Sequence, residues 1–180
     1  ILACEAMAKE GKVPLDALKD IKGKARFDIK RINELESILH HDLASFGSCV
    51  QESIGPNGRY IHMGLTSNDV VDTALCLMMK KSADILIEDI GDLITVVTEK
   101  AKKYKYTPMI ARTHGVHAEP ITLGWKFALM LEETKRSRER LQRARNIISY
   151  GKISGVVGTY AHNLPAVEEY VCKKLGLTPA

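Results

Sequence analysis

Two long helical stretches separated by one polar break constrain this chain more than any other feature. Residues 66–106 and 120–150 each keep apolar side chains at three- and four-residue intervals, with charges between them. At ~1.5 Å per residue such helices would run on the order of 60 Å and 45 Å, longer than a compact helical domain of this size normally uses. The break, Ala111-Arg112-Thr113-His114-Gly115-Val116-His117-Ala118-Glu119-Pro120, holds two imidazoles, a guanidinium, a hydroxyl and a carboxylate. Gly115 lets the backbone pass close to a neighbour, and Pro120 suits the first turn of the second helix. Taken alone, the stretch is read equally well as a capped loop with solvated histidines.

Within the first long helix, Val71, Leu75, Met78, Leu86, Ile90, Leu93, Val97 and Ala101 form a near-heptad stripe, opposed by Lys80, Lys81, Asp84, Glu88, Asp92 and Glu99. Val70, Ala74, Leu77, Ile85, Ile94 and Val96 widen it, so the helix is expected to meet neighbours on more than one side. A chain of 180 residues offers few such neighbours. Packing against further copies of the same chain is the expected supply.

Composition narrows the function classes. Lys plus Arg exceed Asp plus Glu by 26 to 22, a mild formal charge of +4, and much of the excess lies in residues 135–145. There is no aromatic interleaving and no zinc-finger spacing, so a solvated helix face is preferred to nucleic-acid binding. Cys4, Cys49, Cys76 and Cys172 are widely separated with no CxxC pair, which reads as free thiols in a reducing cytoplasm. No apolar run escapes charges for long enough to span a membrane. The chain opens abruptly inside a helical pattern and closes just after a helix stop, as expected of a piece of a longer protein.

The remaining segments also read as helices. A helix closing at Gly11, another from Pro14 to Gly23 and a third capped by Asp28 precede His40-His41-Asp42 and a continuing apolar stripe. His41 with Asp42 beside it could supply a tuned imidazole; further ligands at helical spacing are missing, so no metal site is expected. After the Gly55-Pro56-Asn57-Gly58 turn comes Gly64-Leu65-Thr66-Ser67-Asn68-Asp69, where Thr66 and Asp69 have capping-box spacing. The Thr66 and Ser67 hydroxyls at the start of a long helix favour an anion site there. The glycine-spaced segment 153–160 lacks the Gly-Lys-Ser/Thr of a phosphate loop, and a last helix spans residues 165–175. The expectation is an all-α chain, with a small amino-terminal helical unit over 1–65 and the beginning of a long-helix bundle over 66–180.

Four stretches then stand in order: His41-Asp42, Gly64-Leu65-Thr66-Ser67-Asn68-Asp69-Val70-Val71-Asp72-Thr73, Arg112-Thr113-His114-Gly115-Val116-His117-Ala118-Glu119-Pro120, and Gly151-Lys152-Ile153-Ser154-Gly155-Val156-Val157-Gly158-Thr159-Tyr160. In this the chain resembles the adenylosuccinate lyase branch of the fumarase/aspartase superfamily of helical lyases, over essentially its whole length. Fumarase-like and argininosuccinate-lyase-like members typically continue the central Thr-His with Leu-Gln, where this chain has Gly-Val-His.

The resemblance implies elimination of fumarate from adenylosuccinate, giving AMP, and from the succinylated imidazole-carboxamide nucleotide SAICAR, giving AICAR. It implies His114 as general acid assisted by His41, with His40, Asp42, His62, Thr66, Ser67, Asp69 and Thr113 contacting substrate. It implies no cofactor and no metal, no nucleic-acid or membrane partner, and a cytoplasmic homotetramer whose active sites combine segments of three subunits. His40 departs from the family, which often has Arg or another polar residue there. Two family elements have no match: the amino-terminal Arg-Tyr that would touch the nucleotide phosphate, and the Met-Pro-x-Lys-x-Asn-Pro loop with the catalytic serine base. The 180 residues alone are therefore expected to be inactive. The competing readings are another fumarate-releasing lyase, argininosuccinate-lyase-like, or a non-catalytic helical oligomerisation scaffold.

Overall fold

A computed structural model describes residues 1–180. The order of elements is α1 Leu2–Lys9, α2 Leu15–Lys24, α3 Ile29–Leu39, α4 Asp42–Ile54, a 3-10 turn Pro56–Tyr60, α5 Ser67–Lys103, strands β1 Pro108–Thr113 and β2 Val116–Thr122, α6 Leu123–Ile147, β3 Tyr150–Gly151, α7 Pro165–Leu175 and β4 Thr178–Pro179. Seven α-helices carry the architecture, as an all-α chain should.

The caps follow local chemistry. Asp28 accepts from the backbone N–H groups of Lys30 (2.7 Å) and Arg31 (3.3 Å) and starts α3. Thr122 Oγ1 accepts from Trp125 N at 3.2 Å and starts α6. Pro165 opens α7, and Gly176, in the left-handed region, ends it.

Two compact units are present: Ile1–Met78 with Ser149–Ala180, and Met79–Ile148. The chain after α6 is tied to the first turns of α5. Thr73 Oγ1 donates to the Lys152 carbonyl (2.9 Å) and accepts from Lys152 N (3.0 Å).

In the first unit, Ala6, Met7, Val13, Ala17, Ile153, Val167 and Val171 form one buried cluster between α1, α2 and α7. Cys4, Ile21, Val50 and Ile54 form a second under α4. Glu5 joins three helices, accepting from Lys22 on α2 (2.8 Å) and from the Tyr170 hydroxyl on α7 (2.9 Å). All four cysteines are free, three of them buried. No helix is long and apolar enough to cross a membrane.

In the second unit α6 packs along α5. A Cβ placed on Gly124 would stand 2.5 Å from Lys105 Cα and 2.6 Å from the Ala101 carbonyl oxygen, so only glycine permits this approach. The Tyr104 and Phe127 rings stack at 6.2 Å, and Arg145 Nε donates to Asp84 at 2.7 Å.

One expectation is corrected. The break between the long helices is not a capped loop but an antiparallel β-hairpin, Pro108 opposite Thr122 and Thr113 opposite Val116, with an irregularity between Ile110 and Arg112. Accordingly α5 stops at Lys103, not 106. Pro120 lies in β2 opposite Ile110 and does not open α6, which begins at Leu123. The reason is side-chain shape: Ile110, Thr113, Val116, Ile121 and Thr122 are β-branched and favour a pleated ribbon over a continued helix.

Candidate active site

The His40-His41-Asp42 junction is built by two helices meeting head to tail. His40 closes α3 in the left-handed conformation, φ 49°, and His41 turns back to extended backbone. From there His41 Nδ1 accepts from Ala44 N at 3.3 Å, so the imidazole is itself the cap of α4. A Nδ1 used as acceptor leaves the ring proton on Nε2, the nitrogen free to face a ligand. Asp42 Oδ1 lies 3.3 Å from the same Nδ1 and accepts from Leu43 N at 2.6 Å.

His41, His62 and Ser67 line one cleft of about 240 Å³, together with Ser48 and Gln51 of α4. His62 Nε2 is buried and has no hydrogen-bond partner within the chain. A buried ring nitrogen left unpaired costs free energy and marks a place where a ligand group would be accepted. His40 and Asp42 are exposed at the junction and do not line this cleft.

The start of α5 forms another wall. Asp69 Oδ2 accepts from Thr66 N at 3.0 Å, which is one half of the expected capping box. The other half differs: Asp69 N donates to the Thr66 carbonyl at 3.1 Å, leaving the Thr66 hydroxyl out of that bond. Asp69 is fully buried, and its carboxylate also takes the Lys152 ammonium (2.9 Å) and the Gly155 N–H (3.2 Å to each oxygen). Its oxygens hold the protein together at this point.

Thr113 and His114 belong to the second unit, at the hairpin tip. The two-residue loop His114-Gly115 has φ 53° and 79°, both left-handed, the twist that matches a tight hairpin. His114 is exposed and the space around Gly115 is open, while His117 Nε2 stands 3.4 Å from Arg112 Nη2.

Sequence reading missed Ser48 and Gln51, although their positions seven and ten after His41 place all three on one face of α4, a signal available from helical spacing. It also gave no role to Lys152, whose partner lies 83 residues earlier in the chain and leaves no local pattern.

The family described as lyase matches residues 1–180. The chain belongs to this lyase family. Adenylosuccinate lyase of Bacillus subtilis (strain 168) is 52% identical over 180 residues, which is 100% of this lyase chain and 42% of that protein. Adenylosuccinate lyase of a Synechocystis species is 49% identical over 179 residues, 99% of this chain and 42% of its own. The chain thus spans less than half the length of the curated relatives it matches. Among solved structures, 3-carboxy-cis,cis-muconate lactonizing enzyme from Pseudomonas putida superposes with a TM-score of 0.91 at 29% identity, over 99% of this chain and 43% of that one. Fumarate lyase from Mesorhizobium sp. BNC1 superposes at 0.90 and 26% identity, over 99% and 44%. The lyase chain therefore has the helical fold of this superfamily.

Proposed function

We propose that the complete protein is an adenylosuccinate lyase, releasing fumarate from adenylosuccinate to give AMP and from SAICAR to give AICAR. The observation that carries this reading is the shared cleft of His41, His62 and Ser67 beside the α5 N-terminus, in a chain 52% identical to a protein of that name.

In the elimination, the bond between the succinyl carbon and the purine-side nitrogen breaks. A base removes the proton from the neighbouring carbon, whose electron pair becomes the double bond of fumarate, and an acid protonates the departing nitrogen. His114 is that acid. The serine base belongs to sequence outside these 180 residues. The negative charge that builds on the carboxylate beside the deprotonated carbon needs fixed donors; the Thr66 and Ser67 hydroxyls and the free amides of α5 supply them. His41 assists with the proton on Nε2, and His40, Asp42, His62 and Thr113 contact the nucleotide or succinyl group. This acid–base chemistry asks for no cofactor.

The exposure of His114 in a single chain fits a site closed by another subunit, as do the exposed apolar side chains of α5 and α6. A homotetramer with shared sites follows as part of the proposal. The free cysteines agree with a cytoplasmic, reducing setting. Fumarate release from adenylosuccinate and from SAICAR by the full-length protein is the direct test; no release from either substrate rejects the reading.

A further inference from the structure

The α5 N-terminus contains an electrostatic contradiction. A helix start attracts an external carboxylate through its unpaired N–H groups and positive dipole end. Asp69 sits in that first turn, fully buried, and places a fixed negative charge where the ligand's own charge would have to come. Left alone, it would occupy the dipole and repel a second anion.

Lys152 resolves this. Its ammonium reaches Asp69 Oδ1 at 2.9 Å and the Gly155 carbonyl at 3.3 Å, while its backbone is clamped by Thr73 in the next turn of α5. Gly155 N–H closes the arrangement on both Asp69 oxygens. The loop is held from its other side by Glu168, 2% exposed, which accepts from Ile153 N (2.7 Å) and from the Tyr160 hydroxyl (2.9 Å). Neither Lys152 nor Asp69 is placed against the His41 and Ser67 cleft, so both act through the helix start.

We propose that Lys152 and Asp69 are positioning residues of the carboxylate site: Asp69 fastens the start of α5 to the 152–155 loop, and Lys152 cancels its charge so that the Thr66 and Ser67 end of the helix accepts an external carboxylate. The inference rests on the lyase reading for the identity of that carboxylate, a succinyl or fumarate group. It does not rest on that reading for the charge balance.

The test uses the full-length protein, with fumarate as ligand in equilibrium titration and adenylosuccinate as substrate. Lys152→Met keeps the aliphatic stem and removes the charge; fumarate binding should weaken about fivefold to tenfold, and KM should rise more than kcat falls. Lys152→Arg should retain binding. Removing both charges, Lys152→Met with Asp69→Asn, should recover most of what the single change loses. A merely structural pair would show the opposite, with the double variant as weak as Lys152→Met or weaker, and that result overturns the proposal. Should Lys152→Met fail to fold, Asp69→Asn is compared with the double variant: it should bind fumarate more tightly by a similar factor, and equal binding overturns the proposal. Wild-type protein that binds fumarate yet leaves adenylosuccinate intact refutes the substrate assignment while leaving the charge series valid. Wild-type protein that binds no fumarate overturns the carboxylate site itself.

Discussion

At the scale of single residues, His114 combines exposure with a backbone that few side chains adopt, φ 53°. Holding an imidazole in the left-handed region costs conformational energy that a simple turn would avoid with Gly or Asn. Replacement by Ala in the full-length protein should leave assembly intact and lower kcat by about 10² or more, the scale of a lost general acid; kcat within a few-fold of wild type would remove His114 from the mechanism. Cys172 illustrates burial acting on chemistry. Desolvation, then the Glu168 charge, pushes its thiol up to about 11 from the usual 9.0. Because the folded value is the higher one, its contribution to stability is present below pH 9.0 and is lost as pH rises towards about 11. The thiolate is the reactive form, so iodoacetamide at pH 8 should modify half-buried Cys76 well before Cys172, with mass spectrometry locating the label. Early labelling of Cys172 in folded protein would contradict its burial.

At the scale of elements, the hairpin explains why residue patterns misled. Periodicity in residues 104–122 is weak, and a polar break between two strong helices reads as a loop. The signals for strands were there in the β-branched run and in a two-residue turn with Gly at its second position, but each is short. The Asp28 cap was easier to see, since it acts within three residues of itself, whereas Thr122 was passed over in favour of Pro120 as the start of α6. Gly124 was not legible, because its role is set by Ala101 of α5 and by Lys105 in the turn that follows that helix. Gly124→Ala would place a methyl group against backbone that cannot rotate away, and overpacking of this kind costs about 1–3 kcal/mol. A thermal or urea unfolding series on the variant measures it; unchanged stability would mean α6 can slide.

At the scale of the whole molecule, much of the apolar surface read along α5 remains open in the single chain, although Val97 is buried. Val71, Leu75, Met78, Ile85, Leu86, Leu93 and Val96 are each more than two-fifths exposed, and Trp125, Leu129 and Met130 of α6 are similarly bare. Contiguous apolar surface of this kind marks an interface. Leu86→Glu together with Leu93→Glu in the full-length protein should reduce the oligomer mass seen by light scattering and abolish fumarate release, because shared sites would come apart. An unchanged mass would place the interface elsewhere.

Residue spacing and local chemistry placed the helical segments, the Asp28 cap and the order of the motifs, since each depends on side chains within a few residues. Folding across the chain was needed to bring His41, His62 and Ser67 to one cleft and to seal Asp69 under Lys152. Those outcomes depend on partners up to 86 residues apart, and a distance along the chain carries no trace of the contact that folding makes across it.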